Sequence, residues 1–209
     1  MSASNVIRWA GLSLVVAGVL LVVGTIIRPA DVPESIATNL WVVALYLFLG
    51  SVIFGVFGTF GLYARQVKEA GLLGLVGFLM LIVARLLFTG LTFFEAFIIP
   101  VLATEAPQFI GGLFAGEISL GVLETVILVA GPLEVIGGLL FGIAIIRAGI
   151  LPRWAAILFI IGILPGRFGP EVVVRISSVV SGIGLAWLGY ALWSERREEA
   201  SEPLPAMQS

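Results

Sequence analysis

The sequence predicts an all-α, polytopic integral membrane protein, a six-helix bundle organised around a central antiparallel hairpin of its third and fourth spans. Three observations predict it. The 209 residues are 60% apolar and only 11% charged, with a mean hydropathy of +1.17, whereas soluble domains are about 45–50% apolar and about 25% charged. Several apolar runs exceed the ~18 residues that mark a membrane span. These runs are continuous and lack the polar/apolar alternation of barrel strands, so each must satisfy its own backbone as a helix.

The spans read as 6–27, 38–63, 70–99, 119–146, 152–165 and 171–193, followed by a polar cytoplasmic tail over 194–209. The first follows a single cation, Arg8, exceeds the ~7–15 residues of a signal-peptide core and shows no A-x-A site, so it reads as a retained span. The fifth is anomalous: about 14 apolar residues reach only ~21 Å against a hydrocarbon core of ~30 Å. Either the following PGRFGPE stretch (Pro165 to Glu171) dips into the bilayer, or the bilayer thins locally while Arg167 reaches outward. Arg8-Trp9-Ala10 opens span one and Arg153-Trp154-Ala155 opens span five, a short echo consistent with a parallel repeat flanking the central hairpin.

Orientation follows from positive charge near span ends. With the N-terminus inside, Arg8, Arg65, Lys68, Arg147, Arg153, Arg196 and Arg197 lie on the cytoplasmic side and only Arg28 and Arg167 on the outer side. Both termini are therefore expected in the cytoplasm. Trp9, Tyr63, Trp154, Tyr190 and Trp193 fall at the inner interface and Trp41 at the outer one, as aromatic belts do.

The informative residues are charges inside spans, which usually face the bundle interior and pair or line a polar path, because a central charge costs about 2.5–3.5 kcal/mol. In an antiparallel hairpin, residues equally far from the turn lie at equal depth. Arg85 and Glu134 are equidistant from the middle of the outer connection, between Phe109 and Ile110, and so are Glu95 and Glu124. Arg85 and Glu134 are thus expected to form a structural ion pair near the midplane. Glu95 and Glu124 form a second level nearer the outer face, where two carboxylates would repel unless Arg175 joins them; these three are the expected substrate or proton pathway. Ten residues turn a helix about 80° short of three full turns, so the two charges of each helix point in somewhat different directions, yet one groove can be lined by both, particularly if Gly131-Pro132 kinks span four.

Gly55, Gly58 and Gly61, then Gly71, Gly74 and Gly77, and the Gly138/Gly142 pair mark close helix approach, within the chain first and against a second copy or another membrane protein second. Thr104 to Ser119 reads as a short helix at the outer interface that lids the carboxylate level or rests on lipid. Ser177, Ser178 and Ser181 have no general base beside them and are expected to hydrogen-bond between helices.

Much chemistry is excluded. Without His or Cys there are no disulfides, no His- or thiolate-bound metal and no Ser-His or Cys-His pair. Lys68, the only lysine, lies outside the spans, which excludes retinal attachment there. Asp31 is the only aspartate, too few for metal-dependent headgroup transfer, and no G-x-S-x-G or P-loop occurs. Net charge of −2 gives no basic stripe for nucleic acid. The chain is therefore not expected to be an enzyme, to hold a cofactor or to bind nucleic acid; its partner is the lipid bilayer.

The run RAGILPRWAAILFIIGILPG and the later GIGLAWLGYALWSERRE, within Arg147 to Glu195, resemble the last two spans of small prokaryotic multi-pass membrane proteins catalogued as domains of unknown function. That resemblance implies a six-helix unit in the cytoplasmic membrane of a prokaryote and assigns no functional residue. Two functions remain open: binding or translocation of a small solute, lipid or proton, or a non-catalytic accessory or scaffold subunit whose ion pairs are purely structural.

Overall fold

The structure, a computed structural model, describes residues 3–30, 32–36, 38–165 and 169–201, with side chains over 5–30, 32–36, 38–165 and 169–194. The described residues are helical with no strand, in the order α1 (Ala3–Ile27), α2 (Pro33–Ile36), α3 (Asn39–Phe97), α4 (Ile99–Glu105), α5 (Pro107–Phe114), α6 (Val122–Ala148), α7 (Arg153–Ile163) and α8 (Glu171–Ser201). Four apolar helical stretches are long enough to cross a membrane: Asn5–Ile27, Asn39–Glu105, Val122–Ala148 and Glu171–Ser194. The helix count thus differs from the six expected, for two reasons. Spans two and three belong to one helical run, and short helices fill the connections that follow spans one and three.

Straight, the 59 residues of α3 would reach nearly 90 Å at ~1.5 Å per residue, about three times the hydrocarbon thickness. The run folds back instead. Its backbone leaves helical values at Gln66 (φ −124°, ψ 18°) and at Gly71 (φ 56°, ψ −158°), and only glycine adopts the second conformation without strain. Arms 39–65 and 72–97 then lie antiparallel: Tyr63 stacks on Phe78 with ring centroids 4.5 Å apart, and Tyr46 meets Phe97 at 5.3 Å.

Helix ends follow local chemistry. Pro29 cannot continue α1. Thr38 caps α3, its Oγ1 accepting the Trp41 N–H at 3.3 Å, as N-cap side chains do. Left-handed Gly149 (φ 68°) ends α6 after Arg147, a cation placed well against the helix dipole. Helix α6 continues through Pro132. With 11 residues, α7 is shorter still than expected, about 16 Å. Arg167 and the centre of the PGRFGPE stretch lie outside the described residues, as do Asp31 and the end of the tail over 202–209, while the α8 backbone continues into the tail as far as Ser201.

Inside a bilayer, lipid is as apolar as leucine, so close packing of small residues holds helices together rather than water exclusion. The glycines do this within the chain. A Cβ at Gly18 would lie 2.3 Å from the Gly182 carbonyl oxygen, one at Gly77 2.5 Å from Phe141 N, and one at Gly162 2.3 Å from Ser181 N. These approaches lock α1 to α8, the second arm of α3 to α6, and α7 to α8. Gly58 and Gly61 receive Leu14 and Ala10 of α1, and Gly142 receives Ile160 of α7. The helices therefore close a ring in the order α1, α3, α6, α7, α8. Both Arg-Trp-Ala motifs behave alike, with Trp9 and Trp154 63% and 71% exposed on the outside and Ala10 and Ala155 buried. Ile36, Trp41, Ile99 and Ile110 form a separate core that seats α2, α4 and α5 on the end of α3.

Candidate functional site

The ring encloses a cavity of about 450 Å³. Its floor is built at mid-helix. Arg85, from the second arm of α3, is 6% exposed, and its Nη1 lies 3.2 Å from where a Cβ of Gly55 would stand, beside Ala17 of α1. Glycine at 55 is what leaves room for the guanidinium. Glu134 of α6 meets it, with Nε and Oε1 3.5 Å apart. That distance is a charge contact and not a hydrogen bond, and Nε has no hydrogen-bond acceptor among the described residues.

The walls carry small hydroxyls. Ser51 donates to the Ala17 carbonyl at 2.8 Å, tying α3 to α1 across the cavity wall. Ser177 and Ser178 donate back to Val173 and Val174 within α8, and Thr25 to Leu21 within α1. The serines of α8 were expected to bond between helices; Ser177 and Ser178 instead satisfy their protons on the preceding turn, which leaves hydroxyl oxygens facing the cavity.

The mouth lies where α1 ends and α8 begins. Arg175 donates from Nη1 to the carbonyls of Arg28 (2.7 Å) and Thr25 (3.3 Å), and from Nη2 to that of Pro29 (2.9 Å). These carbonyls at the end of α1 lack helical partners, and a cation suits the negative pole of that helix. Arg175 also bridges Glu171 at 2.8 Å. Arg28 stacks over Trp41 and Phe48, 5.8 and 5.6 Å from the ring centroids. From Ala17 to Thr25, about 12 Å of helix separates floor from mouth.

The expected grouping of Glu95, Glu124 and Arg175 does not assemble. Glu95 and Arg175 both line the cavity, but Glu124 does not. Glu124 is exposed in the first turn of α6, where its Oε1 accepts the Leu120 N–H at 2.8 Å. Of α6, only Glu134 reaches the cavity; the Glu124 carboxylate is taken up instead by an N–H of the connection that precedes the helix. Arg175 is committed to α1 and Glu171 rather than to Glu95. Glu95 itself makes no hydrogen bond or ion pair with any described residue. Thr104 to Ser119 does contain a short helix, α5, but it seats Ile110 in the Trp41 core and does not line the cavity.

Arg28, Thr25, Ser51 and Glu171 were missed as wall residues. Their signal is faint: single polar side chains on three different helices, which become a group only when the ring closes. The lining now holds three arginines and three glutamates, balanced in formal charge.

No protein-family model, curated protein or solved structure compared with the chain matches it. The cavity is therefore read from its own residues.

The two contacts of Arg175 differ in worth. Its pair with Glu171 is exposed, 32% and 51% at the two side chains, and such an i,i+4 pair contributes at most about 0.5 kcal/mol. The carbonyls it satisfies are partly buried and lose their donor if it is removed, at about 1–3 kcal/mol. Glu171→Ala should leave thermal stability in detergent nearly unchanged, whereas Arg175→Ala should lower it clearly; equal effects would mean that the ion pair, not the α1 terminus, is what Arg175 serves.

Proposed function

We propose that the protein binds a small solute in this cavity and passes it, or a proton, between the outer face and the middle of the membrane. The observation that carries the reading is Glu95: a carboxylate on the wall of a polar cavity inside a membrane protein, with no partner among the described residues. An ionisable group in that setting is costly unless it meets a cation or a proton, so it serves as the titrating or cation-contacting group. Glu124 has no part in this role. The reaction is binding or passage without covalent chemistry.

In this reading the two arms of α3 cross separately, α7 forms the helical part of a fifth crossing, and the chain makes six passes with both termini in the cytoplasm. The antiparallel glycine contacts and the excess of Arg and Lys on one side support it.

Glu95→Gln should abolish solute or proton flux into liposomes while leaving the protein folded. Glu124→Gln should leave flux untouched and cost at most about 1 kcal/mol, the worth of a weakened hydrogen bond to the Leu120 N–H. Flux that follows Glu124 and ignores Glu95 would overturn the assignment.

A further inference from the structure

We infer that the ligand carries an oxyanion, a carboxylate or phosphate group, and that Arg85 is the residue that holds it. This rests on reading the cavity as a solute site. A guanidinium presents five N–H donors in a planar fork and no acceptor. In Arg85 none of them reaches an acceptor among the described residues: Nε faces Glu134 Oε1 at 3.5 Å, beyond the ~2.7–3.2 Å of a hydrogen bond, and no other side-chain bond is made. Buried donors are almost always satisfied. Arg175 provides the internal contrast, since it lines the same cavity and spends its donors on Glu171 and three carbonyls. One arginine is saturated at the mouth; the other waits at the floor.

The site is built around that group. Gly55 leaves space for Nη1, and Glu134 holds the charge from α6 without using up the donors. A donor-only fork recognises planar or tetrahedral oxyanions, which it grips through two parallel bonds; it offers nothing to a cation. Arg28, over Trp41 and Phe48 at the mouth, adds positive potential along the way in. Glu95 on the same wall and Glu134 at the floor oppose a second negative charge, so the favoured ligand is a monoanion, or one accompanied by a proton on Glu95.

A free solute and the headgroup of an anionic lipid both offer this chemistry. The test titrates protein in non-ionic detergent with acetate, benzoate and inorganic phosphate, against sodium chloride at equal ionic strength and choline chloride as a cationic probe, following thermal unfolding. A parallel arm compares nanodiscs of phosphatidylcholine with and without phosphatidylglycerol. The expected result is a saturable rise in Tm with carboxylate or phosphate, about tenfold weaker in apparent affinity for Arg85→Lys, which keeps charge but loses the fork, and absent in Arg85→Gln with Glu134→Gln, which keeps the floor neutral. Gly55→Ala, crowding Nη1, should weaken binding with Arg85 in place. An Arg85-dependent response confined to phosphatidylglycerol makes the ligand a lipid; a response to the free anions makes it a solute. Equal anion effects in wild type and the double variant, or none in either arm, overturn the inference. If choline then still acts through Glu95, the cavity remains a solute site and only its anion preference falls; if no probe acts, both fall.

Discussion

Arg85→Leu is expected to cost about 3–5 kcal/mol of stability, the penalty for leaving a buried charge without its partner. Glu134, held among helices at 20% side-chain exposure, would keep a carboxylate with no cation near it. Glu134→Leu should cost a similar amount, because Arg85 is the more deeply buried of the two. The double variant, Arg85→Leu with Glu134→Leu, should recover most of the loss, since replacing a whole buried pair by apolar side chains is commonly neutral or better. Unfolding in mixed micelles with increasing SDS measures all three. Single variants as stable as wild type would mean that the pair carries no electrostatic weight at mid-depth. A double variant no better than the singles would mean that the floor is held by shape and not by charge.

The second large effect concerns close helix approach. A methyl at Gly18 or Gly162 would stand 2.3 Å from backbone atoms of the facing helix, and backbone cannot swing aside as a flexible side-chain end can. Gly18→Ala should push α1 from α8, and Gly162→Ala should push α7 from α8, each costing about 1–3 kcal/mol or more as overpacking does. Gly90→Ala is the control: nothing lies within 4 Å of its Cβ position, and alanine is the better helix former by about 0.8–1 kcal/mol, so that variant should be as stable as wild type or slightly more so. The same SDS titration reads the order. Gly18→Ala and Gly90→Ala behaving alike would show that the helices are not in contact at Gly18.

How much of this was readable beforehand depends on which coordinate is asked for. Depth is readable, because a helix rises by a constant amount per residue: Arg85 and Glu134 are equally far from the outer connection, and their side chains stand 3.5 Å apart. Angle is not. The same equal-depth reasoning joins Glu95 to Glu124, yet Glu95 faces the cavity while Glu124 turns outward to the Leu120 N–H of the connection before α6. Arg175 went elsewhere for a comparable reason. The carbonyls at the end of α1 are identical in every helix and leave no mark in the sequence, so nothing in residues 25–29 announces the cation that will cover them. The reversal between residues 63 and 70 was readable from the charges of Arg65, Lys68 and Glu69; what was hidden is that the chain stays helical through it, leaving helical values only at Gln66 and Gly71. The cavity was the least legible feature of all, since its walls come from single polar residues on different helices that mean little one at a time.

The account turns on whether water and small solutes enter the ring of helices from the end where α1 stops. The chain has no cysteine, so single cysteines can report this without background. Cysteines replacing Ser178 and Ser181 on the cavity wall should react with a membrane-impermeant, hydrophilic thiol reagent added to the outer side of oriented proteoliposomes. A cysteine at Leu128, 65% exposed but facing lipid in this account, should stay unmodified. Protection of both wall positions, or labelling at Leu128 faster than at Ser178, would show that the interior is closed and dry, and would contradict the assignment of a solute site.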